Sequence, residues 1–202
     1  MKNKLLITTS ILNSWRYLFT VDDQWYDESF EDFKRALRRE PWEGNQYTKA
    51  GLDFEDLAME GKVPGISEII ENGSFQYRAT KDKVVDGQEF LMYGRIDVLK
   101  NGEIIDIKLK NNISKYNVGE YLEGVQHHFY MEMIPEAKRF RYLIGNKNSK
   151  AKIAETGLEY TIREESIDRE ECVDMSSVIR QFVNWLKAND LYDLYVEHWQ
   201  TN

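Results

Sequence analysis

Two aspartates and a lysine stand in a segment that has the pattern of a β-hairpin. The segment reads GRIDVLKNGEIIDIK, in which alternating apolar runs flank the turn dipeptide Asn101-Gly102. A two-residue turn there would place Asp97 opposite Asp106 on one face, with Lys108 two residues further along that face. Two carboxylates in opposite positions repel each other, so a divalent cation between them is the expected partner. The spacing therefore predicts a metal-dependent active site.

The alternation along the hairpin also sorts its residues onto two faces. One face is apolar and suited to packing against a helix, and it comprises Ile96, Val98, Ile105, Ile107 and Leu109. The opposite face comprises Arg95, Asp97, Leu99, Ile104, Asp106 and Lys108. Two oxygen-donor side chains suit a hard cation such as Mg²⁺ or Mn²⁺, and the backbone carbonyl of Ile107 could add a ligand. The alternative is a surface hairpin whose charges are simply solvated.

Composition narrows the class of protein. The chain has 202 residues, of which 42% are hydrophobic, which is enough for one domain with its own core. The net charge of -8 does not suggest a protein that coats nucleic acid by its overall charge, although a local site can differ. The single cysteine, Cys172, excludes an intramolecular disulfide and a multi-cysteine zinc or iron–sulfur site. The short apolar run near the start and the lack of an apolar stretch of roughly 18 residues predict a soluble, cytoplasmic protein.

The flanking sequence predicts the elements that would hold this hairpin in place. Helical periodicity predicts helices at 9–19, 28–39, 47–60, 116–133, 170–188 and 191–199. Strand-like alternation predicts strands at 74–82, 88–100, 103–110, 138–144 and 158–163, the first three as an antiparallel meander. This order predicts an α/β fold in which a mixed central β-sheet is flanked by helices. We expect one domain over 1–202, with N-terminal helices in 1–60, the catalytic sheet in 74–165 and C-terminal helices in 170–200.

The hairpin resembles the core motif of the PD-(D/E)XK nuclease superfamily, with GRID on its first strand and IDIK on its second. The nearest branch is the RecB-like group, which includes phage-type recombination exonucleases. Two further motifs come in the order that this family uses. Upstream, Gly51 precedes Glu55 in a helical motif where relatives place an acidic or histidine metal ligand. Downstream, Gln126 and Tyr130 match the Gln-x-x-x-Tyr pattern, and their spacing puts both on one helix face.

The resemblance covers about residues 9–145 and implies a restriction-endonuclease-like core with a metal-dependent DNA nuclease activity. The implied ligands of Mg²⁺ or Mn²⁺ are Asp97, Asp106, Glu55 and the carbonyl of Ile107. Lys108 would orient the attacking water or stabilise charge, while Gln126 and Tyr130 would orient the phosphate. Relatives with an iron–sulfur cluster bind it through four cysteines, which this chain lacks, so no such cluster is expected.

The resemblance also implies partners and a pathway. Relatives act as exonucleases in DNA recombination, repair or phage DNA processing, so DNA is the expected substrate. A recombination or helicase protein and further copies of the chain are expected partners, since helicase motifs are absent and some relatives form rings. No membrane partner is expected. Basic side chains within 34–39 and 147–152 are the expected contacts to the DNA backbone, and His127 and His128 are expected at the surface or on a phosphate.

Two functions of other classes stay open at this stage. One is a non-catalytic DNA-binding or scaffold subunit that keeps the nuclease fold, although the complete set of Asp97, Asp106 and Lys108 argues against it. The other is an unrelated metal-dependent enzyme that acts on a small phosphorylated or nucleotide substrate. Divalent-ion binding would separate a nuclease from the scaffold, and competition with DNA oligonucleotides would separate it from the second enzyme.

Overall fold

A six-stranded mixed sheet with helices packed on both faces forms the framework of the protein. The computed structural model describes residues 4–41, 44–113 and 116–201. The strands are β1 (Leu5–Ile7), β2 (Ser74–Val85), β3 (Gln88–Lys100), β4 (Glu103–Leu109), β5 (Arg139–Lys147) and β6 (Tyr160–Asp168). The helices are α1 (Thr9–Tyr17), α2 (Asp23–Leu37), α3 (Gln46–Met59), α4 (Ser67–Ile70), α5 (Gln126–Met133), α6 (Lys150–Thr156), α7 (Ser176–Ala188) and α8 (Tyr192–Trp199). The predicted α/β class with a mixed sheet flanked by helices is therefore confirmed.

The third strand is shared among three partners, and this creates a fork in the sheet. β2 pairs antiparallel with β3 along nearly its whole length and so occupies one edge of that strand. The other edge pairs with β1 in parallel at Phe90–Met92 and with β4 antiparallel at Val98–Lys100. β4 then pairs in parallel with β5, which pairs antiparallel with β6. Residues 93–97, which end at the first of the two aspartates, lie between the β1 and β4 pairings.

The predicted hairpin of β3 and β4 is present, with one difference in its register. Both turn residues have positive φ, 51° and 77°, as a two-residue type I′ turn requires. The ladder follows the predicted register but ends at the pair of Val98 and Ile105, so Asp97 and Asp106 are not a ladder pair, contrary to the prediction. The ladder between β2 and β3 also skips Asp97, opposite Gln76, whose φ is 52°. On this edge the earlier part of β3 pairs with β1 and only its end pairs with β4. Asp97, which lies between these two pairings, is therefore at a break in both ladders.

Two apolar cores lie on the two faces of the sheet. The larger contains side chains of β1 and of α1, α2, α5, α7 and α8. The smaller lies between the sheet and helices α3 and α4 and contains Val98, Ile105 and Ile107, as the alternation predicts. Ile96 belongs to the larger core, although the alternation assigned it to the face of Val98. The alternation is broken between these two residues where both ladders of β3 are interrupted at Asp97.

The long helix predicted over 116–133 is wrong in its N-terminal half. Helix α5 begins only at Gln126, and residues 118–123 form turns followed by a bend at 124–125. Gly119 has a positive φ of 89°, which a helix does not accept. The N–H of Gly119 donates to Glu165 Oε1 at 2.7 Å, so this segment is bound to β6 instead of extending the helix.

The remaining differences concern short elements that periodicity does not detect. β1 has three residues and pairs in parallel, so it shows no alternation in the sequence. α6 lies in the polar connection between β5 and β6, where no helix is predicted. α2 begins at Asp23 and α7 at Ser176, several residues from the predicted starts. These differences leave the hairpin of β3 and β4 unchanged.

Candidate active site

The break in the sheet at the fork is closed by a side chain instead of a backbone pair. Asp97 Oδ2 accepts a hydrogen bond from the backbone N–H of Ile107 at 2.9 Å, beyond the point where the ladder ends. The carbonyl of Ile107 points to the same edge of β4, because the N–H and C=O of one strand residue share an edge. The break therefore brings a carboxylate and a backbone carbonyl oxygen together.

The second aspartate lies within the sheet and is almost fully enclosed. Asp106 on β4 is 3% exposed and lies beside Tyr142 of β5. Its Oδ1 accepts a hydrogen bond from Gln126 Nε2 at 2.5 Å. Its Oδ2 receives no hydrogen bond of normal geometry from the described residues and forms an ion pair with Lys108 Nζ. A buried carboxylate of this kind keeps its charge only with a cation beside it, so Lys108 is the counter-ion of Asp106 in this structure.

The charges of the two aspartates and the lysine act on one another. Burial raises the pKa of Asp97 well above its usual value, and the negative charge of Asp106 raises it further. Burial alone would lower the pKa of Lys108, but the charges of Asp106 and Asp97 more than offset this and the pKa of Lys108 is raised. Lys108 therefore stays protonated, and the raised pKa of Asp97 means that a second carboxylate charge at this site is unfavourable unless a further cation offsets it.

Helix α3 brings a third carboxylate to this group. Its Phe54 packs on Gly145 of β5 so closely that a Cβ at Gly145 would lie 2.2 Å from the ring, which fixes α3 against the sheet. The next residue, Glu55, is half-buried and interacts with the charges of Lys108 and Asp106. Burial raises the pKa of Glu55 to about 7, although the Lys108 charge opposes this shift. Glu55 therefore belongs electrostatically to the same site as the hairpin residues.

Glu55 is expected to contribute less to the stability of the metal-free protein as the pH rises from about 4.5 to about 7. Its raised pKa means that Glu55 binds more protons in the folded than in the unfolded protein in this window, so its contribution to the free energy of unfolding decreases with pH, whereas the lowered pKa of the buried His127 acts in the opposite direction. The raised pKa of Asp97 acts in the same direction as that of Glu55. Chemical denaturation in EDTA over this pH range measures the slope of stability against pH, and Glu55→Gln should shift that slope toward more positive values, because it removes a negative contribution. An identical slope in Glu55→Gln would contradict the placement of Glu55.

The two matched residues of the Gln-x-x-x-Tyr pattern contact the two strands of the hairpin. Gln126, the first residue of α5, donates to Asp106 on β4, as described above. Tyr130, one turn later, donates its O–H to the carbonyl of Arg95 on β3 at 3.2 Å. The Tyr130 ring lies on Gly94, where only a hydrogen atom leaves enough room. Helix α5 therefore contacts both β3 and β4 at the point where these strands separate.

Gly94→Ala is expected to destabilise the protein by about 1–3 kcal/mol because the new methyl group overpacks this contact. A Cβ at Gly94 would lie 2.2 Å from Cε1 of Tyr130. Gly51→Ala is the matched control, since nothing lies within 4 Å of a Cβ at Gly51 inside α3. This control should raise the stability by about 0.5–1 kcal/mol, because alanine favours a helix over glycine. Thermal denaturation of both variants checks the pair, and equal effects would count against the close contact.

The donor set at the fork fits a divalent cation only in part as it stands. Among residues 4–41, 44–113 and 116–201, no three His, Cys, Asp or Glu side chains are grouped closely enough to hold a metal ion. Mg²⁺, however, is commonly bound by one or two protein carboxylates and keeps several waters. Asp97, Asp106 and the carbonyl of Ile107 supply hard oxygen donors of that kind, and Oδ2 of Asp106 is buried without a normal hydrogen bond. The residues present therefore fit a hydrated Mg²⁺ or Mn²⁺ at the position that Lys108 now occupies next to Asp106.

No family model matches this chain, and no curated protein matches its sequence. Solved structures are similar in fold. The crystal structure of SSO0001 is similar with a TM-score of 0.54 at 13% identity, over 94% of this chain and 79% of that one. A phage-related exonuclease from Haemophilus somnus 129PT gives 0.48 at 18% identity, over 82% of each chain. A provisionally named exonuclease from Eubacterium rectale gives 0.43 at 13% identity, over 92% of this chain and 68% of that one.

These similarities concern the fold. The similarity to SSO0001 agrees with the mixed α/β fold class predicted from the sequence, and exonucleases are among the other solved structures to which the chain is similar. Within the described part of the chain, no helix is both long enough and apolar enough to cross a membrane.

The sequence prediction for the two adjacent histidines is wrong for one of them. His127 is fully buried, with 0% exposure, and its ring lies against Phe140 and Tyr142 of β5. His128 is partly buried and its ring meets that of His127 at 4.0 Å between centroids. The face of α5 that carries His127 packs on the sheet, whereas the helical pattern by itself does not say which face does so.

The first of the two predicted basic surfaces is neutralised within the chain. Lys34, Arg35 and Arg38 form ion pairs with acidic neighbours on α2 or just after it. Arg39 lies over the ring of Trp199 at 5.2 Å. In the second basic segment, Lys152 contacts a neutral hydroxyl, that of Thr161. Lys152 forms no ion pair with a described residue.

Sequence reasoning missed two tyrosines that line the site. Tyr121 stacks on Tyr142 with ring centroids 5.4 Å apart and planes 24° apart. Burial raises the pKa of Tyr121, and the nearby Lys108 charge opposes this while that of Asp106 adds to it. Tyr142 is next to Asp106 across the β4–β5 ladder. Tyr121 lies in the segment predicted as helix, and nothing in the sequence indicates that this segment turns back toward the hairpin.

Proposed function

We propose that the protein is a metal-dependent deoxyribonuclease that hydrolyses phosphodiester bonds. The observation that carries this proposal is the pair of aspartates, the half-buried Asp97 and the buried Asp106, at the break between β3 and β4 with Lys108 beside them. With Glu55, three carboxyl groups interact electrostatically with the single amine of Lys108, so the site has fewer cationic than acidic groups. A divalent cation would supply positive charge, and a lysine next to acidic metal ligands is suited to phosphoryl chemistry.

The proposed cation ligands are Asp97, Asp106, the carbonyl of Ile107 and Glu55. When bound there, Mg²⁺ or Mn²⁺ would lower the pKa of an attacking water and offset the charge of the phosphate. Lys108 must leave Asp106 Oδ2 to make room, and its three N–H donors then become available to the water or to a phosphate oxygen. The lysine would thus stabilise the negative charge that grows on the phosphate during attack.

The two α5 residues have complementary roles in this proposal. Gln126 uses one amide hydrogen to fix the orientation of the Asp106 carboxylate, and its second, which has no partner among the described residues, could bind an oxygen of the scissile phosphate. Tyr130 uses its hydroxyl hydrogen on the carbonyl of Arg95 and so fixes the backbone of β3 next to Asp97. Both residues orient groups at the site and transfer no proton.

Finer aspects of the function follow from the sequence resemblance. We propose that the enzyme is an exonuclease of DNA recombination, repair or phage DNA processing, located in the cytoplasm. Its substrate is DNA, bound in part by the lysines at 147–152. A recombination or helicase protein and further copies of the chain are the proposed partners. No iron–sulfur cluster is included, since the chain has one cysteine.

Cleavage assays with defined cofactors test this function. The purified protein is incubated with linear duplex, linear single-stranded and circular DNA in Mg²⁺, Mn²⁺ or EDTA. We expect cleavage of linear DNA with either metal, no cleavage in EDTA, and resistance of the circular substrate. Cleavage of the circle would replace the exonuclease assignment with an endonuclease. Retained DNA binding without cleavage in either metal would favour the scaffold subunit and contradict the nuclease.

A further inference from the structure

The buried histidines next to Gln126 belong to a chain of hydrogen bonds that the proposed mechanism does not use. His127 Nδ1 lies 3.2 Å from Tyr142 Oη, and His127 Nε2 lies 3.1 Å from His128 Nε2. At the far end, the backbone N–H of Val173 donates to His128 Nδ1 at 3.3 Å. These hydrogen bonds therefore connect the loop before α7, through the first turn of α5, to β5.

One fixed donor sets the donor-to-acceptor direction of every bond in this hydrogen-bond chain. A backbone N–H can only donate, so Nδ1 of His128 must be the acceptor and carries no hydrogen. A neutral imidazole has one hydrogen, which in His128 must then lie on Nε2 and point at His127 Nε2. His127 in turn carries its hydrogen on Nδ1 and donates to Tyr142 Oη. Each link follows from the one before it, beginning at Val173.

Burial keeps both histidines in the neutral form that these hydrogen bonds require. Burial, with the adjacent His128 as a second cause, lowers the pKa of His127 to about 4. Burial also lowers the pKa of His128, with the Arg16 charge as a second cause. A doubly protonated His128 would place a hydrogen on Nδ1 and lose the bond from Val173. The geometry at Val173 and the surroundings of the rings thus favour the same protonation state.

The hydrogen-bond chain also fixes the first turn of α5 to its neighbours. No side chain caps the N-terminus of this helix. Instead, His127 is bonded to β5 and His128 to the loop before α7, so the first turn is held from two sides. Gln126 precedes His127 directly, and the rotation of this turn determines whether Gln126 Nε2 reaches Asp106. The histidines can therefore control the site without touching a substrate.

We infer that His127, His128 and the backbone N–H of Val173 form a one-directional hydrogen-bond chain that positions Gln126 against Asp106. His127 carries its hydrogen on Nδ1 and His128 on Nε2, and both are positioning residues. The kinetic consequence rests on the proposed nuclease function. The tautomers and the position of Gln126 do not depend on it.

Long-range ¹H–¹⁵N NMR spectra of the full-length protein read the tautomers directly. The chain has three histidines, so His198→Gln assigns the third signal by its loss. We expect one histidine protonated on Nδ1 and one on Nε2 at neutral pH, assigned to His127 and His128 respectively. The same tautomer in both residues, or the reverse pair, would overturn the inference whether or not the protein cleaves DNA.

Val173→Pro removes the donor that sets the direction. Val173 is 53% exposed, and the residue before it, Cys172, has φ -79° and ψ 138°, the conformation that a following proline favours. Val173→Ala is the matched control, because it keeps the N–H. We expect the proline variant to shift the side-chain amide resonances of Gln126 and the alanine variant to leave them in place. His128→Phe, which keeps a planar ring but removes the nitrogens, should give the same shift as the proline.

Kinetic measurements test whether the hydrogen-bond chain affects catalysis. If the nuclease activity is present, Val173→Pro should lower kcat by about ten-fold at unchanged KM, since small misplacements of a catalytic group are costly. In a Gln126→Ala background the proline substitution should have no further effect, because the two changes act through one contact. Additive losses, or unchanged Gln126 resonances in both Val173→Pro and His128→Phe, would overturn the positioning role.

Discussion

Asp106→Asn is expected to abolish DNA hydrolysis while the protein stays folded. Asparagine has the size of aspartate and can still accept the hydrogen bond from Gln126 Nε2. It lacks the negative charge that pairs with Lys108 and that would hold a divalent cation. Since the cation supplies several kcal/mol of transition-state stabilisation, the rate should fall on the order of a thousand-fold or more. The initial rate of cleavage of linear DNA in Mg²⁺ measures this loss.

Asp106→Asn should change stability far less than it changes activity. The Asp106 charge raises the pKa of Asp97, so its removal relieves a repulsion with the half-buried Asp97, but it also takes away the ion-pair partner of Lys108. Because these two effects oppose each other, we expect only a small change in thermal stability in EDTA. Asp53→Asn is the matched control, because Asp53 is an exposed residue of α3 whose carboxylate pairs only with Lys49 in the described structure. Full cleavage activity in Asp106→Asn, or equal losses in both variants, would refute the assigned site.

Lys108→Met is expected to separate catalysis from cation binding. Methionine keeps much of the apolar stem of the lysine but not the amine, so the charge that develops on the phosphate loses its neighbour. Removal of one electrostatic group of this kind costs about 10²–10³-fold in rate. Cation affinity should be kept or increased, because the lysine that now pairs with Asp106 Oδ2 no longer competes. Single-turnover cleavage and calorimetric titration with Mn²⁺ measure the two quantities.

The neighbouring lysine on the same segment provides the control. Lys110 follows two residues after Lys108 and forms an ion pair with Glu120, away from the aspartates. Lys110→Met should leave both the rate and the Mn²⁺ affinity near those of the unmodified protein. Lys108→Met and Asp106→Asn should then change Mn²⁺ affinity in opposite directions. A loss of Mn²⁺ affinity in Lys108→Met would mean that the lysine does not compete with a cation at this site.

The hairpin was predictable from the sequence because its signals are local. The Asn-Gly turn fixes the register, and alternation over neighbouring residues fixes the faces of β4. The break at Asp97 was not predictable, since it arises where β3 changes partner from β4 to β1. β1 has only three residues and lies more than 80 residues earlier in the chain, so no pattern near Asp97 in the sequence indicates that β3 changes its pairing partner.

The surroundings of the site depend on contacts that periodicity does not encode. The segment before α5 has the apolar spacing of a helix, but Gly119 bonds to Glu165 on β6 and turns the chain. The burial of His127 follows from the side on which α5 packs, which the helical pattern leaves open. The placement of Glu55 depends on Phe54 fitting into the space above Gly145, a match between residues about 90 positions apart. Such long-range contacts determine where the residues around the hairpin are placed.

Anomalous diffraction from crystals soaked in Mn²⁺ tests most directly whether these carboxylates hold a catalytic cation. We expect a manganese peak at the break between β3 and β4, within ligand distance of Asp97 and Asp106, with Lys108 Nζ displaced from Asp106 Oδ2. The same soak of Asp106→Asn crystals should show no peak there. A fully occupied peak elsewhere, or no peak at saturating Mn²⁺ with the Lys108–Asp106 ion pair intact, would contradict a metal-dependent nuclease site at this hairpin.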